Sequence, residues 1–121
     1  MYCMVMVEQI ANWEAQIRKG WLEVAILATL WRGRLYGLEI IRELAASSDL
    51  IVAEGTIYPV LARLRNDGLV EAEWVEGAAG HPRRYYKLTA EGRKRTLILA
   101  QHSNTFLEEM AALINPLLEE A

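Results

Sequence analysis

A chain of 121 residues is long enough for one domain with a modest core and too short for two. Apolar residues make up 53% of it, a high share for a small domain that must also cover its own surface, so part of that surface is expected to be buried against a second subunit. The net charge of −3 excludes a generally nucleic-acid-sticky protein, and no run reaches the roughly 18 apolar residues of a membrane span.

The charge is unevenly spread. Residues 56–95 carry eight Lys or Arg against five acids, whereas residues 96–121 carry four Glu and no Lys or Arg. Cys3 is the only cysteine, so an internal disulfide is impossible and a reducing, cytoplasmic location is expected. The apolar start of the chain lacks the basic region of a signal peptide.

Taken in order, residues 4–19 read as a helix with Met6, Ile10, Trp13 and Ile17 on a stripe. Gly20 is free either to bend it or to be absorbed. Residues 21–31 form a strongly apolar helix ending at Gly33. Ile17, Trp21, Val24, Ala28 and Trp31 continue the first stripe, while Leu22, Ile26 and Leu30 make a second line, so this helix is expected to be buried on two sides. Residues 35–45 read as the next helix, with Ile40, Ile41 and Leu44 inward, closed by Ser47-Ser48-Asp49 and followed by a short turn.

The third helix is the one that organises the rest. Ile57, Val60, Leu61 and Leu64 fall on one face, and Gly68 is placed to stop it. Tyr58, Ala62, Arg63, Arg65 and Asn66 lie on the other side. With Thr56 as N-cap, Pro59 falls at the third helical position, where its missing N–H costs nothing. Such a helix end presents a hydroxyl, a phenol and free backbone N–H groups, suited to a phosphate or a base edge. Three helices with short connections, the third exposing a basic face, make the helix-turn-helix pattern.

After Gly68 the period changes to two. Val70, Ala72 and Trp74 alternate with Glu71 and Glu73 in a half-buried strand, residues 77–82 are a loop, and residues 83–88 are the return strand. A two-stranded hairpin with a basic tip in this position is a wing. Thr89 then caps a long helix over residues 90–118, with Glu91 in its first turn and Pro116 as the one place where it can break. Its apolar sector, running through Leu99, Phe106, Leu107, Met110, Leu113, Ile114 and Leu118, is wider than the roughly 100° stripe of an ordinary surface helix. Leu97, Ala100, Asn104, Leu107, Ala111, Ile114 and Leu118 also keep the alternating spacing of a coiled-coil seam.

An enzyme needs convergent groups, and the sequence offers few. His81 falls on the wing tip, His102 on a polar helix face, and no zinc spacing or nucleophile–base pair is visible, so no catalytic residue, metal ligand or cofactor is assigned. The pairs Glu108-Glu109 and Glu119-Glu120 read as a solvated helix face. Trp13, Trp21, Trp31 and Trp74 are core aromatics first and pocket residues second.

Taken together, Lys19-Gly20-Trp21-Leu22-Glu23, Tyr36-Gly37-Leu38-Glu39-Ile40, Gly55-Thr56-Ile57-Tyr58-Pro59-Val60-Leu61, Asp67-Gly68-Leu69-Val70, Arg84-Tyr85-Tyr86 and Leu88-Thr89-Ala90-Glu91-Gly92 closely resemble the PadR family of winged-helix transcriptional regulators. The resemblance covers roughly residues 19–95, and the single last helix is similar to the family's shorter branch and to small multidrug-responsive repressors. Ala53 stands where the family commonly has a Ser cap, Arg34 where Pro is usual, and Leu38 where an aromatic is common. The resemblance implies a mainly α fold with a small β wing. Residues 1–89 would be the DNA-binding part and residues 90–121 the dimerisation helix.

It also implies a homodimeric repressor on a palindromic double-stranded operator, released by a small aromatic or drug-like effector. The residues expected at DNA are Tyr36, Gly55, Thr56, Tyr58, Pro59, Arg63, Arg83, Arg84 and Lys87. Those expected at the effector are Trp21, Val24, Ala28, Ser103, Phe106 and Leu107. The dimer interface is expected at Ile10, Trp13, Ile17, Ala100, Leu107, Met110, Ile114 and Leu118. Two alternatives stay open: a winged-helix module for protein–protein contact without DNA, and a metal-responsive repressor using His102 with Glu108 or Glu109.

Overall fold

The computed structural model describes residues 2–47, 53–77 and 80–121. Its elements run α1 (Tyr2–Thr29), β1 (Leu35–Tyr36), α2 (Gly37–Ser47), α3 (Glu54–Asn66), β2 (Val70–Glu76), β3 (Pro82–Leu88) and α4 (Ala90–Glu120). The expected closure of α2 at Ser48 and Asp49, the turn after it and the middle of the wing loop at Ala78 and Ala79 lie outside the described residues.

The core lies where α1, α2, α3 and the base of the wing meet. Leu22, Ile26, Leu27 and Leu30 come from α1, Ile40 and Leu44 from α2, and Ile57, Leu61 and Leu64 from α3, with Leu69, Val70 and Tyr86 closing the far side. On α3 the inner face is the one its spacing predicts, with Val60 half-buried at its edge. On α1 the outcome differs. The core face is the second apolar line, Leu22, Ile26 and Leu30, widened by Leu27, while on the first stripe Ala28 is exposed and Trp21, Val24 and Trp31 are only half-buried. Within one chain the body covers one side of this helix fully, while α4 covers the other only in part.

Gly20 does not end α1, which is a single helix of 28 residues. Likewise α4 runs through Pro116. Gly68 stops α3 with φ 77, and Leu69 N–H reaches back to the Leu64 carbonyl at 2.9 Å, a closure that favours a left-handed residue.

Three expectations are corrected here. Leu35 and Tyr36 are not the start of a helix. They form a short strand paired antiparallel with Tyr86 and Tyr85, because the outer edge of β3 would otherwise leave its backbone groups unpaired. The wing is therefore part of a three-stranded sheet, in the order β1-β3-β2. Trp74 is not half-buried either. Alternation holds at Val70 and Ala72, but β2 then runs past the edge of the core and leaves Trp74 67% exposed.

A dense set of contacts joins the wing base to α4. Thr89 Oγ1 accepts from Gly92 N–H at 2.9 Å and donates to the Gly68 carbonyl at 2.7 Å, while Thr89 N–H donates to the Leu69 carbonyl at 3.1 Å. Gly92 is buried, and a Cβ there would overlap the Leu69 carbonyl oxygen, so the first turn of α4 can sit this close only without a side chain.

Candidate nucleic-acid interface

The third helix begins one turn earlier than its hydroxyl suggests. Ala53 is the N-cap, in extended conformation and without a side-chain bond, and its carbonyl accepts from Thr56 N–H at 3.0 Å and Ile57 N–H at 3.2 Å. Thr56 is thus the third helical residue, and Glu54 occupies the first turn, where a carboxylate complements the helix dipole. Pro59 accordingly sits in the second turn. It removes the N–H that would reach the Gly55 carbonyl, a real loss at an interior position. Gly55, Thr56, Pro59, Ala62, Arg63 and Asn66 are all exposed.

Tyr58 is held rather than free. Its ring lies directly on Gly37 at the start of α2, where a Cβ would overlap the phenol. Burial first, then the Glu54 carboxylate and Tyr86, raise its pKa above the usual phenol value, so it remains a neutral donor throughout the physiological range. Arg63 stands in the last turns of α3, 3.9 Å from Glu23 of α1, a carboxylate that also lies 4.0 Å from Arg95.

Strand register sorts the wing residues. Trp74 lies opposite Arg84 and Ala72 opposite Tyr86, on the face that continues into the core; Val75 opposite Arg83 and Glu71 opposite Lys87 share the other face. The Arg84 guanidinium lies 5.7 Å from the Trp74 ring and 5.8 Å from the Tyr86 ring. That of Arg83 lies 4.7 Å over Tyr36. Lys87 is 3.7 Å from Glu71, and Arg34 bonds Glu73 at 2.8 Å while covering Tyr85.

Between the second turn of α3 and the wing is a cleft of about 420 Å³. Tyr36, Gly37 and Leu38 line it from β1 and α2, Tyr58 from α3, and Trp74, Arg83, Arg84 and Tyr86 from the wing. Of the nine residues expected at DNA, the cleft thus gathers Tyr36, Tyr58, Arg83 and Arg84. Gly55, Thr56 and Pro59 lie on the exposed helix beside it, and Arg63 and Lys87 are turned toward carboxylates. Trp74 and Gly37 were not among the expected site residues. A bulky aromatic at a strand position beyond the core was a signal for the first, but nothing local marks the second.

The residues expected at an effector divide. Trp21, Val24, Ser103 and Phe106 line a groove of about 440 Å³ between α1 and α4, together with Glu23, His102 and Glu109. Trp21 meets Phe106 edge-on at 6.1 Å. On the neighbouring side Trp21, Phe106 and Leu107 join Trp13, Ile17, Met110 and Ile114 around a groove of about 610 Å³. Ala28 is not with them: it lines a third groove beside Ala100 and Leu97, because it stands two turns, roughly 10 Å, along α1 from Trp21. Among the residues expected at a dimer interface, Ile10, Trp13, Ile17, Ala100, Leu107, Ile114 and Leu118 are exposed and Met110 is half-buried. Among the described residues no three His, Cys, Asp or Glu side chains gather as metal ligands, and no helix is long and apolar enough to cross a membrane.

Three helices around one core, with a β hairpin carrying stacked arginines beside the third, define a winged-helix protein. The model of the transcriptional regulator PadR-like family matches residues 26–97. A PadR-like transcription factor from Bacteroides fragilis of known structure is 41% identical, with 84% of this chain and 98% of that one covered and a TM-score of 0.69. A PadR family transcriptional regulator from Eggerthella lenta is 26% identical over 92% and 96% of the two chains, with a TM-score of 0.82. A PadR-like transcriptional regulator from Bacillus cereus is 29% identical over 82% and 96%, with a TM-score of 0.74. An uncharacterized protein from Lysinibacillus sphaericus is 30% identical over 81 residues, 65% of this chain and 74% of that one. This chain belongs to the PadR family, whose members are DNA-binding transcriptional regulators and not enzymes.

Proposed function

We propose that the protein is a repressor that binds a palindromic operator as a homodimer and releases it when a small aromatic compound enters between α1 and α4 at the dimer interface. The observation that supports this reading is the apolar surface that α1 and α4 present together. Ile10, Trp13 and Ile17 on one helix and Leu107, Ile114 and Leu118 on the other are all exposed in a single chain, and a contiguous patch of this kind marks an interaction surface. A second copy related by a two-fold axis would cover it and set the two α3 helices toward successive major grooves, about 34 Å apart. In that arrangement Thr56, Tyr58 and their neighbours on α3 read the major groove, and Arg83 and Arg84 on the wing hold phosphate or the minor groove. An effector lodged beside Trp21 and Phe106 acts by binding one spacing of the two helices more tightly than the other.

The reading is tested by retardation of a duplex from the chain's own upstream region over a salt series, with phenolic acids and planar cationic dyes added in turn. Affinity should fall steeply with salt as counterions compete, and Arg84→Ala should weaken all sequences alike and reduce the salt slope by about one. At least one compound class should release the duplex. A salt-independent interaction would point instead to a protein-binding module.

A further inference from the structure

We propose that Trp74 is a DNA-contacting residue, and that the cleft it shares with Tyr58, Arg83 and Arg84 seats one sugar–phosphate segment of the bound strand. The inference rests on the DNA-binding reading above and adds to it a residue and a place.

The first ground is the position of Trp74. Val70, Ala72 and Trp74 share one face of β2; Val70 is buried and Ala72 half-buried, yet Trp74, the largest of the three, is 67% exposed. Nothing in the core would be lost by a polar residue there, so burial does not account for the indole.

Arg84 supplies the second ground. It stands directly opposite Trp74 in the ladder, with its guanidinium set between the rings of Trp74 and Tyr86 at 5.7 and 5.8 Å. A guanidinium attracted to ring faces does not spend its N–H donors on them, and its fork of donors matches the two oxygens of a phosphate. The rings hold the fork in place before DNA arrives, so less rotamer freedom is lost on binding.

Charge is the third ground. The cleft has two cations and no carboxylate in its lining, whereas the groove beside Trp21 carries Glu23 and Glu109. Its remaining walls are Gly37, Leu38 and the aromatic residues Tyr36, Tyr58, Trp74 and Tyr86, surfaces suited to the apolar edge of a deoxyribose. Cationic edges with flat apolar walls fit a sugar–phosphate backbone, and Tyr58 reaches the same cleft from the helix that faces the groove.

Trp74→Ala and Trp74→Phe in the full chain, measured by fluorescence anisotropy on a labelled duplex from the upstream region and on a random duplex at low salt, test the proposal. Because the side chain is exposed, circular dichroism and the melting temperature should not change. Trp74→Ala should weaken both duplexes by roughly three- to fivefold, the size of one exposed guanidinium–indole contact, by the same factor at every salt concentration, since no charge is removed. Trp74→Phe should restore most of the loss. In the wild-type protein labelled with 5-fluorotryptophan, the resonance assigned by Trp74→Phe should shift on adding duplex. If the wild type binds duplex, Trp74→Ala binds equally well and the resonance does not move, the proposal is overturned and the DNA-binding reading stands. A wild-type protein that binds neither duplex at low salt would defeat that reading, and this one with it.

Discussion

The same helix serves two different regimes at its two ends. Along α1, Ile26 and Leu27 are completely buried, whereas Trp13, fewer than four turns earlier, is 61% exposed. Along α4, Thr96 is buried near the wing base, and beyond Phe106 the large apolar residues Leu107, Leu113, Leu117 and Leu118 all lie open. The winged-helix body closes a core from residues of one chain. The two arms, the first half of α1 and the second half of α4, repeat the body's apolar spacing but cover each other only in part, leaving most of their large apolar residues exposed. Periodicity therefore tells that a face is to be buried, but whether the cover is intramolecular depends on how many elements reach it.

That contrast can be broken most forcibly from the body side. Leu61→Ala removes a fully buried side chain at the centre of the core and should cost about 2–5 kcal/mol, seen as a lower denaturation midpoint by circular dichroism. Leu117→Ala, at 64% exposure, should cost well under about 1 kcal/mol when measured at concentrations where the chain is monomeric. Equal losses would mean that the arms are packed within the chain after all.

A smaller change in stability, with a larger change in assembly, is expected from Leu107→Glu. If a second copy covers this position, the carboxylate would be buried without a partner, a penalty of several kcal/mol against association. Sedimentation velocity should then show monomer where the wild type is dimeric, with operator binding lost and the body's thermal transition kept. A wild type that sediments as a well-folded monomer at micromolar concentration would remove the dimer from the proposed function.

How much of this was legible before the structure follows the same division. The inner face of α3 could be read from Ile57, Leu61 and Leu64 because each is local to one helix, and Gly68 marked its end for a local conformational reason. Leu27 falls on neither apolar line of α1, and only tertiary packing makes it core. β1 reads as helix in the sequence because two residues carry no period, and their pairing is imposed by the edge of β3. A hydroxyl is a good cap, so the sequence points to Thr56 as the start of α3, but a backbone carbonyl at Ala53 serves without any side chain. The wing's basic residues form one group in the sequence, although the ladder sends Arg84 to one face and Arg83 and Lys87 to the other. Long-range approaches such as Gly37 against Tyr58 and Gly92 against Leu69 leave no local trace.

The approach of Gly37 to Tyr58 gives the finest test, because it separates the fold of the body from the placement of one side chain at the presumed DNA face. Gly37 is the first residue of α2, and its φ is not in the left-handed region, so alanine is compatible with the backbone there and in itself favours a helix. What alanine meets is the Tyr58 ring, whose oxygen, Cε1 and Cζ occupy the space of the new methyl. The ring is the movable partner, being 40% exposed on its other side. It should therefore swing outward while α2 and α3 stay in place. The melting temperature of Gly37→Ala should fall by only a few degrees, corresponding to about 1 kcal/mol at most for a domain of this size. Operator affinity should fall by about tenfold, because a phenol held beside the wing is replaced by one that must be ordered on binding. Tyr58→Ala should lose at least as much. If Tyr58 acts through this placement, adding Gly37→Ala to Tyr58→Ala should cost almost nothing further, since the displaced ring is already gone. Additive losses in the double variant would show that Gly37 matters for some other reason, such as the close approach of α2 to DNA itself.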